Sequence, residues 1–147
     1  MYHYRGAGLE NVYLKNGYRE LMYGNEKAVS VENVEGLHQA IAGVLIEKPA
    51  PLTGQEFRFL RIEMGLSQLA LGKLIRVSDQ TVAAWEKEIT KKVSGSSELL
   101  VRAFARERLL HQDGHISDFI EMLADLDRRI IKQFCFQETS EGWKEAA

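Results

Sequence analysis

Ser78-Asp79-Gln80-Thr81 sets a hydroxyl, a carboxylate, an amide and a second hydroxyl in a row, ahead of Val82-Ala83-Ala84-Trp85-Glu86-Lys87. On the first turn of a helix such groups face outward. An amide there can bond an adenine edge through two hydrogen bonds, and a carboxylate can accept from the amino group of cytosine. Asp79 equally suits the positive end of a helix dipole, and both residues suit an ordinary solvated face. Ala84 is small and apolar enough to meet a thymine methyl. Lys87, Lys91 and Lys92 offer positive charge for phosphates, or simply form a solvated turn.

Other chemistry finds little support. The histidines are His3, His38, His111 and His115, and the one cysteine is Cys135. A zinc site usually needs four Cys/His ligands at closed spacing, and no CxxC is present. Asp113-Gly114 breaks any helix that would bring His111 and His115 together. Cys135 lies in an apolar, strand-like run and reads as a packed small hydrophobe. No nucleophile–base pairing or glycine-rich phosphate loop is visible, so the expectation is a non-enzyme with no cofactor and no metal.

The elements around Gln80 decide between base contact and plain solvation. Gly65 stops one helix, Ser67 caps a second and Ser78 caps a third. Between Ser67 and Ser78 there is room for about two helical turns and a tight turn. Two helices joined so closely cross steeply, and Gly72 stands where the crossing requires a small residue. Leu71, Ile75, Val77, Val82 and Trp85 supply the apolar wedge, with Trp85 in the core. This is helix-turn-helix spacing, in which the second helix of the pair enters a DNA major groove. With Val82 and Trp85 inward, Asp79, Gln80, Ala83, Ala84 and Lys87 lie on the free faces.

Leu60-Arg61, Gly65-Leu66-Ser67-Gln68, Val77-Ser78, Thr81-Val82 and Trp85-Glu86 together resemble the Xre/Cro family of repressors over about a third of the chain. The resemblance implies that Gln68 and Ser78 bond phosphates at two helix N-termini. It also implies that Arg61 and Glu86 pair to join the first helix to the end of the third. The DNA-binding set is then Gln68, Ser78, Asp79, Gln80, Thr81, Ala84, Lys87, Lys91 and Lys92, supported by Arg61, Gly72, Trp85 and Glu86. Two positions depart from the family pattern. Arg76 stands for the usual turn glycine, which implies backbone strain, and Glu88 stands for the glycine that usually follows the recognition helix.

The flanks differ in character. In residues 1–51, Asn11–Leu14 and Tyr18–Tyr23 are strand-like, with Lys15-Asn16-Gly17 between them as a hairpin turn, and a second break at Gly24-Asn25 leads into Ala28–Val31 as a third strand. Asn33 caps a helix in which Leu37, Ile41, Val44 and Leu45 recur at helical spacing, and Pro49-Ala50-Pro51 ends it. The domains expected are therefore 1–51, β-rich with one helix; 52–92, the helix-turn-helix; and 93–147, helices and a strand-like tail. The fold class is α+β. In the last segment Ser96 or Ser97 caps Glu98–Leu110, with Leu99, Phe104 and Leu110 among its apolar residues. His111–His115 breaks that helix, and Ser117 caps Asp118–Arg129. The tail around Ile130–Gln137 returns through Gly142-Trp143. The N-terminal block more loosely resembles the β-rich head of MqsA/YgiT-type antitoxins, on domain order and on the Gly8-Leu9 and Asn16-Gly17-Tyr18 turns. Tyr2, Arg5, Ala7 and Gly8 stand where that head carries zinc-binding cysteines, which implies a zinc-free version.

Charge sets a limit on any nucleic-acid contact. The chain of 147 residues has a formal net charge of −2, distributed as −1 over 1–51, +2 over 52–92 and −3 over 93–147. So small an excess excludes tight non-specific binding, which rests on phosphate neutralisation. Two copies on a palindromic operator, with base contacts, fit better. The expected function is a DNA-binding repressor acting as a homodimer, with a toxin protein as a further partner if it is an antitoxin. The competing reading is an adaptor or inhibitor whose helix-turn-helix does not read DNA. No apolar run is long enough for a membrane, Met1–Arg5 opens no secretory signal, and cytoplasm is the expected compartment.

Overall fold

The computed structural model describes residues 1–89, 91–93, 95–110 and 135–146. Four short N-terminal strands lead into five helices: β1 (Tyr2–His3), β2 (Tyr13–Leu14), β3 (Tyr18–Tyr23), β4 (Glu26–Val31), α1 (Val34–Glu47), α2 (Gly54–Glu63), α3 (Gln68–Ile75), α4 (Asp79–Lys87) and α5 (Ser96–Leu109). A final antiparallel pair, β5 (Phe136–Thr139) and β6 (Gly142–Glu145), realises the expected return through Gly142-Trp143. The fold is α+β, as the sequence indicates.

The N-terminal strands pair differently from the expected meander. β2 pairs with β1, and β3 pairs with β4 in the register Tyr23↔Glu26. The tight turn is therefore Gly24-Asn25, not Asn16-Gly17. Gly24 has φ +64 while Asn25 keeps a negative φ. Glycine at the first of two loop residues, with positive φ only there, is the II′ pattern that matches strand twist. Asn16-Gly17 instead connects two separate strand pairs, with Gly17 at φ +77 and its carbonyl accepting from Glu32 N at 2.8 Å.

Asn33 caps α1 as expected, its side chain accepting from Gly36 N at 3.2 Å. Lys48, directly before Pro49, is extended at φ −57, ψ 133, as the proline ring requires of its predecessor. The buried side of α1 is Ala42, Leu45 and Ile46, whereas Val44 is 70% exposed. Residues 34–47 are apolar on nearly every face, so periodicity alone does not select which face turns inward. α5 shows a similar shift. Val101 and Ala105 are buried, Phe104 and Leu110 are partly covered, and Leu99 is exposed. Neither Ser96 nor Ser97 caps it. Gly95, at φ +74, takes the cap position without a side-chain bond, which places both serines inside the helix.

One cluster of buried apolar residues joins these elements, running from Leu9 through α1, Phe57 and Leu60 of α2, Leu71 of α3 and Val82 of α4 to Val101 of α5. The Pro49–Pro51 connection is clamped onto it from α5. Arg102 donates to the carbonyls of Lys48 (2.6 Å) and Ala50, and its Nε lies 2.8 Å from Glu98 Oε2, which also accepts from Leu52 N at 3.2 Å. Cys135 is exposed rather than packed, just ahead of the β5–β6 pair. Phe136 and Trp143 beside it are exposed as well. The expected break at His111–His115, the Ser117 cap, the helix Asp118–Arg129 and the run Ile130–Phe134 lie outside the described residues. Among the described residues no helix is long and apolar enough to cross a membrane.

Candidate nucleic-acid interface

Three hydroxyl caps and two left-handed residues shape the central helices. Thr53 and Glu56 form a reciprocal capping box at the start of α2, with Glu56 N donating to Thr53 Oγ1 (3.3 Å) and Thr53 N to Glu56 Oε1 (2.8 Å). The Thr-x-x-Glu spacing of this box is legible in the sequence. Gly65 ends α2 at φ +74. Ser67 caps α3 by accepting from Ala70 N at 3.0 Å, and Ser78 caps α4 by accepting from Thr81 N at 3.1 Å.

The crossing of α3 and α4 takes place over Gly72. A Cβ on Gly72 would stand 2.6 Å from the Val77 carbonyl oxygen and 3.3 Å from the Ser78 carbonyl carbon. Only hydrogen fits there. Arg76 then turns the chain at φ 65, ψ 41, the left-handed conformation that the missing glycine would adopt more easily. At the far end Glu88 leaves α4 in an extended conformation, φ −86, ψ 111, so no positive φ is needed where the family glycine is absent. Leu71, Ile75 and Val82 are buried in the wedge, with Val77 and Trp85 partly covered against them. Trp85 meets Phe57 edge-on at 5.6 Å, which is a packing role.

A second close approach escapes the sequence reading. A Cβ on Gly54 would collide with the carbonyl oxygens of Trp85 and Glu88. The start of α2 therefore lies directly on the end of α4. Lys91–Val93 runs back beside it, with Gly54 N bonded to Lys91 O (3.3 Å) and Val93 N to Leu52 O (2.9 Å).

Glu86 is the electrostatic centre of the unit, its side chain 3% exposed. Arg61 grips it with both arms, Nε to Oε2 at 2.7 Å and Nη2 to Oε1 at 2.8 Å, while Nη1 donates to the Leu66 carbonyl at 2.9 Å. The expected pairing of these two residues is thus present. Gln68 Nε2 donates to Glu86 Oε1 at 3.2 Å, so its amide is turned onto the protein. Arg58, which the sequence reading leaves out, has its Nε 3.9 Å from the same oxygen. The i−3 spacing of Arg58 and Arg61 on one helix is the signal that would have found it.

The remaining site residues lie on one open surface. Ser78, Asp79, Gln80, Ala84 and Lys87 are exposed, and Thr81 is half-buried with its hydroxyl 2.9 Å from that of Ser78. No other part of the described chain covers Gln80. Lys91 and Lys92 are also exposed, but they follow the end of α4 and not its N-terminal turn.

A polar chain on the opposite side of α2 is likewise absent from the sequence reading. Tyr4 OH is 2.7 Å from His38 Nε2, and His38 Nδ1 is 2.7 Å from Glu63 Oε1, tying the N-terminal segment to α1 and α2. Burial, then the Glu63 charge, raises the Tyr4 hydroxyl above its usual pKa of 10.0.

No curated protein and no solved structure matches the chain. Residues 57–96, which run from the middle of α2 through α3 and α4 to the start of α5, match the family model described as Helix-turn-helix, of Xre/Cro type, a DNA-binding regulatory domain and not a catalytic one.

Proposed function

We propose that the protein is a sequence-specific transcriptional repressor that works in the cytoplasm as a homodimer on a palindromic operator. The observation that carries this reading is the exposed N-terminal turn of α4, with Asp79 and Gln80 uncovered, on a helix whose other side is fixed by Gly72, Trp85 and Glu86. A helix held so firmly and left bare at its tip suits insertion into a major groove. Gln80 reads an adenine edge, Asp79 accepts from cytosine, and Ala84 meets a thymine methyl. Ser78, Thr81 and Lys87 contact the backbone beside them, and Lys91 and Lys92 supply further charge. Gln68 reaches a phosphate through the second hydrogen of its amide, the first being held by Glu86.

The operating logic follows from charge. With an excess of only +2 over residues 52–92, one copy neutralises few phosphates. Two copies related by a two-fold axis double both phosphate and base contacts, on half-sites about one DNA turn apart. Selection from a random pool of duplex DNA tests this. The expected product is a palindrome with that spacing, and a pool that remains random would contradict it.

A specific observation favours a further protein partner, as in an antitoxin. Among the described residues β3 and β4 pair only with each other, and Met22 and Tyr23 are exposed. An isolated two-stranded ribbon is marginal in water, and both of its outer edges can accept another strand. Co-purification with the product of an adjacent small gene tests this reading.

A further inference from the structure

We infer that Arg58 is a DNA-backbone contact and that the neighbouring turn Arg5–Gly8 brings the N-terminal segment into the same contact surface. This deepens the DNA-binding reading and rests on it. The starting point is a count of donors around Glu86. Arg61 spends Nε and Nη2 on the carboxylate and Nη1 on the Leu66 carbonyl, and its side chain is 11% exposed. It is a bolt between helices with little left for an outside anion. Arg58 has the same charge in a different situation. It is 54% exposed, and at 3.9 Å from Glu86 Oε1 it lies beyond hydrogen-bonding distance.

Two guanidinium groups thus converge on one carboxylate that Arg61 already satisfies. One positive charge is left over, at the surface, beside the oxygen that also holds the Gln68 amide at the beginning of α3. Glu86 is too far from Arg58 to take up its donors but close enough to bias where the side chain rests. A guanidinium carries a planar fork of donors suited to two phosphate oxygens, so the arrangement presents a pre-positioned fork that makes no hydrogen bond among the described residues.

The N-terminal segment adjoins this group. An added Cβ on Gly8 would lie 3.9 Å from Arg58 Nη1, so the glycine backbone lies alongside the guanidinium. Gly8 N donates to Arg5 O at 3.0 Å, which closes a tight turn beside Arg58, and the exposed Arg5 side chain rests with its Nε donating to His3 Nδ1 at 3.4 Å. Tyr4, immediately before the turn, is buried and bonded to His38, so the turn is fixed to the helices. A strand-rich head would otherwise have no place in DNA recognition. Here its first turn flanks Arg58, the second and more exposed cation beside the helix-turn-helix carboxylate.

The test uses the full chain, a duplex carrying its selected site, a scrambled duplex and a salt series. Arg58→Ala is expected to weaken binding to both duplexes by a similar factor. It should also reduce the slope of log affinity against log salt by about 1 for each protomer bound. Arg58→Lys should restore most of the slope, and Arg5→Ala should lower it further in the Arg58→Ala background. Thermal unfolding controls for folding, and Arg58→Ala should melt close to the unmodified chain because Arg61 still holds Glu86. An unchanged slope in Arg58→Ala, with the unmodified chain binding its site, overturns this inference alone. Failure of the unmodified chain to bind any duplex overturns the DNA-binding reading and this inference with it.

Discussion

Arg61 and Glu86, 25 residues apart, meet through two hydrogen bonds of 2.7 and 2.8 Å, and this contact joins α2 to the last turn of α4. The two bonds fix both the distance and the rotation of α4 against the scaffold. With Glu86 turned inward, Gln80, six residues earlier, is carried about 120° round the helix to the open side. The same contact that stabilises the fold therefore aims the exposed turn.

Removing one partner should be costly. Glu86→Ala strands the Arg61 guanidinium in a largely buried position, and the expected loss is about 3 kcal/mol. Denaturant unfolding reads it directly. A stability within about 0.5 kcal/mol of the unmodified chain, the range of a neutral surface change, would contradict the role given to this pair.

Gly72→Ala should destabilise by about 1–3 kcal/mol, since the new methyl meets the Val77 carbonyl and overpacking a rigid contact costs that much. Because α3 and α4 must separate to admit it, DNA affinity should fall more than stability alone explains. Paired unfolding and binding titrations distinguish the two effects. A fully stable, fully binding Gly72→Ala would mean that the helices do not cross as described.

Arg76→Gly should act in the opposite direction. Arg76 sits at φ 65, where an L side chain costs about 1–2 kcal/mol, partly offset by the greater unfolded-state entropy of glycine. A net gain of about 0.5–1 kcal/mol is expected, with binding retained. Destabilisation in the unfolding curve would show that the Arg76 side chain makes a contact worth more than its strain.

The Tyr4 hydroxyl gives a pH signature. Its pKa is raised in the fold by burial and by Glu63, so the fold favours the neutral phenol. That contribution is complete below the unfolded value near 10 and is lost as pH rises through the higher folded value. Stability should therefore decline above about pH 10, and Tyr4→Phe should flatten that decline. Melting temperatures of the two proteins between neutral pH and pH 11 make the comparison, and identical profiles would refute it.

The central helices were legible because each rests on local chemistry. Ser67 and Ser78 cap by their own hydroxyls, Gly65 turns by its own φ, and Gly72 is small where two helices joined by three residues must touch. The Arg61–Glu86 pair was legible only through resemblance, since nothing local links residues 25 apart. The N-terminal turn was misplaced because Asn16-Gly17 and Gly24-Asn25 both suit a hairpin, and only the β3–β4 register separates them. Of the residues that recur at helical spacing in α1, Leu45 is buried and Ile41 packs on the core, but Val44 faces outward, because that helix is apolar nearly all round. The Gly54 approach and the Tyr4–His38–Glu63 chain each depend on neighbours distant in sequence, which no spacing rule reveals.

The most direct measurement compares the unmodified chain with Gln80→Ala on its selected palindrome and on duplexes changed at single positions. If α4 reads bases through its exposed tip, Gln80→Ala loses about 1–3 kcal/mol of affinity for the palindrome and becomes indifferent at one position of each half-site. If Gln80→Ala binds every duplex as the unmodified chain does, that tip is not the reading surface, and the account of α4 fails.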